Sequence, residues 1–226
     1  MNLWSLVVRH ASELWSLATQ LASGMGRSVL IFAVTLLGAL PLGLPVALCR
    51  MSRSPLLRLP AAVYISVLRG TPLMLQLMVV YFGPYYLFGM PISLSYQLWA
   101  VAIAFVLNYA AYFAEIYRGG LLSVPIEQKE AAKVLCYTRA QAFFRVILPQ
   151  AVPRVLPAVT NEAITLVKDT SLAFVIAYAE MFTEAKRIAA RESTVVPLLA
   201  AGLFYYIFNL VVEAVARRVE RRTRYD

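Results

Sequence analysis

The chain has 226 residues, 61% of them hydrophobic and only 15% charged, with a formal net charge of +9 and a positive mean hydropathy. That balance lies far outside the soluble globular range and indicates an integral membrane protein. It also argues against a nucleic-acid binder, because no soluble basic domain accompanies the charge, which is better accounted for by membrane topology and anionic lipid.

Taken in chain order, residues 1–23 place Leu3, Trp4, Leu6, Val7, Leu14, Trp15, Leu17 and Leu21 at helical spacing, which predicts a helix lying in the membrane interface. A cleavable signal peptide fits less well, since the basic amino-terminal region is missing. Ser28–Leu48 is uncharged over a length that crosses the roughly 30 Å hydrocarbon layer, and Thr71–Met90, Leu94–Ala114 and Val195–Val212 are comparable. Val155–Tyr178 is a fifth candidate although it carries Glu162, Lys168 and Asp169. Backbone polar groups find no water in lipid, so each span is read as an α-helix. The expected fold is an all-α integral membrane protein with about five transmembrane helices, forming one domain over 1–226. Gly38, Pro41, Gly43 and Pro45 should bend the first span and admit a close neighbour, and Gly83 with Pro84 should bend or end the second.

Orientation follows from the basic residues. One face collects Arg50, Arg53, Arg58, Arg69, Arg118, Lys129, Lys133, Arg139, Arg145, Arg154 and the basic tail 217–226. The other holds Arg9, Arg27, Lys186, Arg187 and Arg191. The positive-inside bias puts the amino terminus outside and the carboxyl terminus in the cytoplasm of a cell membrane. Cys49 and Cys136 offer no metal-ligand set, and His10 cannot build a catalytic triad alone. No G-x-x-x-x-G-K-[ST] loop occurs, so any nucleotide hydrolysis belongs to another subunit.

A polar insert, 126–150, separates the third and fourth spans. Ile126–Leu135 reads as a short amphipathic helix with a small-residue patch at Ala131 and Ala132. Thr138 and Gln141 suit a capping box for a second helix over Arg139–Ile147, which Pro149 should end. Two such helices form a compact projection; an amphipathic loop lying on lipid is the other reading.

These residues resemble a known family. Glu130, Ala131 and Ala132, followed by Ile147, Leu148 and Pro149, resemble the EAA motif of permease subunits of binding-protein-dependent ABC importers. Arg69, Gly70, Thr71, Pro72, Leu73 and Gln76 look like the RGTP segment of polar amino acid permeases of the histidine, glutamine and arginine branch. Asn108, Ala111, Tyr112, Glu115, Ile116, Arg118, Gly119, Gly120, Ser123, Val124 and Pro125 look like the segment leading into the EAA loop, and Asn161, Glu162, Ile164, Leu166, Lys168, Asp169, Thr170, Ser171 and Leu172 look like the branch's fourth-helix motif. The resemblance implies a MetI-like permease fold and a coupling surface at Glu130, Ala131, Ala132, Leu135, Cys136 and Arg139 for a cytoplasmic ATPase. It also implies a second permease copy or homologue, an extracytoplasmic substrate-binding protein and a polar amino acid as cargo. No cofactor is expected on this chain; ATP and Mg belong to the partner ATPase. One departure is Cys136, where the family usually has glycine; a turn with positive φ there would cost about 1 to 2 kcal/mol.

Charged groups within a membrane should face a cavity or a partner. Glu162, Thr165 and Asp169 recur on one helical stripe, with Lys168 beside them, and Gln76, Asn108, Tyr109 and Tyr112 could complete a polar substrate pathway. Structural pairing is the competing reading, and Glu115 with Arg118 is expected to form a helix-end pair. An ion-coupled carrier or channel, or a membrane scaffold, would be the alternatives to an importer permease.

Overall fold

A computed structural model describes the backbone of residues 3–223, with side chains from residue 15. The described residues are helical throughout their regular elements: α1 (Leu3–Arg50), α2 (Pro55–Gly70), α3 (Leu73–Phe88), α4 (Leu94–Leu122), α5 (Ile126–Val134), α6 (Arg139–Ala142), a π segment (Phe143–Ile147), α7 (Leu148–Asp169), a 3-10 segment (Thr170–Ile176), α8 (Met181–Glu192) and α9 (Val196–Thr223). Four stretches are long and apolar enough to cross a membrane, and α2 with α3, bent by 107°, makes a fifth as one broken span.

The core is built around α4, whose Ala100, Val101, Phe105, Tyr109, Ala110 and Phe113 are nearly or fully inaccessible. α1 lies along it where glycine permits. A Cβ on Gly43 would sit 2.9 Å from Phe113 Cβ, and one on Gly38 would sit 2.8 Å from Val106 Cγ2. Small residues at such a crossing let helices approach without a hydrophobic drive from the solvent. The outer faces stay apolar, with Leu37, Leu56 and Leu94 well exposed, because they meet hydrocarbon or another membrane subunit rather than water.

Several expectations need correction. The backbone from Leu3 already belongs to α1, so no separate helix precedes the first span; side chains up to residue 14 lie outside the described residues. Thr71–Met90 contains α3, and a further, unexpected helix, α2, precedes it at a bend of 107°; the charges of Arg58 and Arg69 disguised it. Pro84 does not end α3, which continues to Phe88 and is closed by Gly89 at φ 66°, its N–H bonded to Tyr85 O at 2.9 Å. Pro149 does not end the second short helix either. Around Phe143 the helix widens to π register, Leu148 N–H donates to Phe143 O, and α7 runs on through Pro153 and Pro157. A widened turn leaves room for a residue without an N–H, so the proline fits just inside the next helix.

Candidate functional site

The projection between the third and fourth spans forms as α5 and α6. The α5 exit is a Schellman closure: Tyr137 N–H donates to Ala132 O at 3.0 Å and Cys136 N–H to Lys133 O at 2.9 Å. That closure needs a left-handed residue at its centre, and Cys136 supplies it at φ 55°. The capping box of α6 is present, with Gln141 N–H donating to Thr138 Oγ1 at 3.3 Å and Thr138 N–H to Gln141 Oε1 at 2.9 Å. Glu130, Ala131, Leu135, Cys136 and Arg139 are exposed, whereas Ala132 is turned inward at 1% exposure. Val134, Leu135 and Phe144 give the projection an apolar surface.

A cavity of about 250 Å³ lies inside the bundle, lined by Thr71, Pro72 and Leu73, by Asn108, Tyr109 and Tyr112 of α4, and by Glu162, Thr165, Asp169 and Leu172. The sequence stripe Glu162, Thr165 and Asp169 therefore faces one space together with the α4 residues. Tyr109 OH donates to Asp169 Oδ2 at 2.8 Å, tying α4 to the end of α7. Lys168 is exposed and lies outside the lining.

Gln76 also stays behind the cavity wall. Its side-chain amide donates to Leu68 O at 2.9 Å, to Thr71 O at 3.0 Å and to Thr71 Oγ1 at 2.8 Å, while its carbonyl accepts from Asn108 Nδ2 at 3.0 Å. Asn108 Nδ2 reaches Leu68 O as well, at 3.0 Å. The break between α2 and α3 orphans carbonyls at the end of α2, and lipid offers them no donor. Gln76 and Asn108 supply the missing donors.

Two residues outside the predicted set are engaged within the bundle, one beside the cavity and one away from it. Arg69 places its guanidinium 5.1 Å from the centre of the Tyr112 ring, beside the cavity; the RGTP resemblance named it, but no spacing signal gave it a role. Glu180 is fully buried as the N-cap of α8. It accepts from Phe182 N–H and Thr183 N–H at 2.7 Å each, from Thr183 Oγ1 at 2.8 Å, Tyr205 OH at 3.0 Å and Ser28 Oγ at 3.4 Å, joining α1, α8 and α9. Burial pushes its carboxyl above the usual carboxylate range, against the pull of those donors. Glu115 and Arg118 pair as expected, with Arg118 Nε donating at 2.9 Å.

A bundle with a broken span at an acidic internal cavity, and a paired-helix projection beyond it, is the arrangement of a membrane permease. The family described as "Binding-protein-dependent transport system inner membrane component" matches residues 39–225, and the chain belongs to it. It is 38% identical over 202 residues to the arginine transport system permease protein ArtQ of Bacillus subtilis, covering 89% of this chain and 91% of the relative. It is 41% identical over 207 residues to the octopine transport system permease protein OccM of Rhizobium radiobacter, covering 88% and 84%. A crystal structure of an amino acid ABC transporter with histidines superposes with a TM-score of 0.82 at 31% identity, over 98% of this chain and 99% of that one. The inward-facing MetNI methionine transporter shares the fold with a TM-score of 0.71 at 18% identity, over 95% and 99%. The chain is thus a multi-pass translocation subunit and not an enzyme, and its family implies a separate ATPase and a substrate-binding protein.

Proposed function

We propose that this chain carries polar amino acids into the cytoplasm through the Glu162–Asp169 cavity. The observation that carries this reading is the cavity's two-sided polarity. The carboxylates of Glu162 and Asp169 line one part, and the entry into α3, at Thr71 to Leu73, lines another. The α3 amides of Leu75 and Gln76 bond back to Pro72 O, which leaves the amides of Leu73 and Met74 at the partially positive helix end. An α-carboxylate suits that end and an α-amino group suits the carboxylates, in the manner of broken helices that meet substrate near mid-membrane. Tyr109, Tyr112, Thr165 and Asn108 complete the wall.

In this reading the amino terminus is outside, where a substrate-binding protein delivers the amino acid, and a second permease copy or homologue completes the pathway. The chain binds no cofactor; ATP and Mg sit on the ATPase, which docks on α5 and α6 through Glu130, Ala131, Leu135, Cys136 and Arg139. Ala132 packs inward and sets the projection's shape. Closure of the ATPase moves the projection, and the unbroken path from α6 through the π segment into α7 carries that motion to Glu162 and Asp169.

The test is uptake of a panel of amino acids into proteoliposomes holding the permease, its ATPase and its receptor, with Glu162→Gln and Asp169→Asn alongside. ATP-dependent uptake of a polar amino acid that either variant lowers is the expected result. Uptake that follows an ion gradient without ATP would replace this reading with a secondary carrier.

A further inference from the structure

The corner where α1 turns into α2 holds a separate cavity of about 420 Å³, walled by Pro45, Val46 and Cys49 of α1 and by Leu57, Pro60 and Tyr64 of α2. Its lining is almost wholly apolar, and the one phenol in the wall is already engaged, Tyr64 OH donating to Leu107 O at 2.6 Å. Such a space gives water too few partners to be held there. A hydrocarbon chain would fill it at no polar cost.

The rim of the same corner is basic. Arg50 ends α1, Arg53 lies in the linker and Arg58 is in the first turn of α2. Arg53 and Arg58 are exposed and Arg50 is half-buried. Among the described residues, none of the three has a carboxylate within 4.0 Å. Glu115, the acid that senses Arg50, is already bonded to Arg118. Three cations with no carboxylate within reach among the described residues therefore lie within four residues of the slot's lining residues Cys49, Leu56 and Leu57.

We propose that this corner binds an anionic phospholipid of the surrounding bilayer, one acyl chain entering the α1–α2 cavity and the phosphate lying on Arg50, Arg53 and Arg58. The charge complementarity selects a lipid over an apolar peptide, and guanidinium groups suit phosphate through forked hydrogen bonds. The lipid fixes the angle between α1 and α2, and with it the first half of the broken span. The site depends on membrane insertion alone and stands whether or not the Glu162–Asp169 cavity carries amino acids.

The complete transporter, reconstituted in mixed phosphatidylcholine and phosphatidylglycerol, is released for native mass spectrometry. Phosphatidylglycerol is expected to be retained over phosphatidylcholine. Retention should fall about fivefold for each of Arg53→Gln and Arg58→Gln, and also in Ala61→Phe, which fills the slot, while Arg217→Gln and Arg218→Gln on the tail leave it unchanged. As a readout without core substitutions, maleimide labelling of Cys49 in a Cys136→Ser background should be slower in phosphatidylglycerol than in phosphatidylcholine. Equal retention and equal labelling in both lipids would overturn the proposal. So would loss in the arginine variants with unchanged Cys49 labelling, which means surface charge only, or Cys49–Cys49 cross-linking between permease copies, which means that a second copy covers the corner.

Discussion

Tyr109 and Asp169, 60 residues apart in sequence, are joined by a hydrogen bond of 2.8 Å that fastens the centre of α4 to the last residue of α7. Asp169 also begins the change from α-helix to 3-10 geometry. One phenol thus fixes both an acidic wall residue and a change of helical pitch. Tyr109→Phe is predicted to lower stability by about 1 kcal/mol, because it removes the donor from a half-buried carboxylate. In an Asp169→Asn background the same change should cost markedly less. Equal costs in both backgrounds, measured by unfolding in detergent, would mean the bond contributes nothing.

Gln76→Leu is predicted to destabilise by a similar amount, about 1 to 3 kcal/mol, since it removes donors from carbonyls that lipid cannot satisfy. Because Asn108 shares Leu68 O and Gln76 Oε1, the Gln76→Leu, Asn108→Leu pair should be non-additive. Strict additivity would separate the two residues into independent roles.

Glu130→Arg and Ala131→Asp should insert normally yet break the link between ATP hydrolysis and uptake, as both side chains are exposed on α5. Uptake at the unmodified level in either variant would remove this surface from the ATPase contact.

Cys136→Gly is predicted to stabilise the projection by about 1 kcal/mol, since glycine occupies φ 55° without the steric cost that a Cβ carries. An unchanged or lowered melting temperature would show that the closure relaxes without help. The exposed thiol itself should cross-link to a cysteine scanned through the ATPase groove.

Glu180 gives a pH dependence whose sign follows from burial. The folded protein holds this proton more tightly than the unfolded chain does. Its contribution is therefore fully present below the ordinary carboxylate value and is lost as pH rises through the raised folded value. The stability gap between the unmodified protein and Glu180→Gln should be widest at acidic pH and narrow as pH increases. A gap that widens with pH would mean that the amide and hydroxyl donors hold the carboxylate ionised.

Much of this architecture was legible because membrane spans announce themselves by length and apolarity. The capping box at Thr138 and Gln141 and the shared stripe of Glu162, Thr165 and Asp169 were equally local, each set by a few neighbouring residues, whereas the positive φ at Cys136 was suggested only by the family's usual glycine there. What escaped was non-local or a matter of register. Arg58, Pro60 and Arg69 made α2 look like a loop, since nothing in its composition reveals that Gln76 and Asn108 satisfy its end. The π segment that carries the chain past Pro149 leaves no periodic trace. α8 did leave one, Met181, Glu184, Ala185 and Ile188 on one face, but the chain around them is too charged for a hydropathy reading to find. The engagement of Gln76 and the exclusion of Lys168 from the cavity depend on packing that sequence spacing does not encode.

The Thr170–Ile176 segment has a consequence of its own. Seven residues in 3-10 form rise about 2.0 Å each, against about 1.5 Å in an α-helix, so recoiling the segment would shorten it by about 3.5 Å. With α8 anchored through Glu180 to α1 and α9, the slack would be drawn from the Asp169 end. A change of that size would load the Tyr109–Asp169 hydrogen bond first, because it is the tie that holds the Asp169 end to α4.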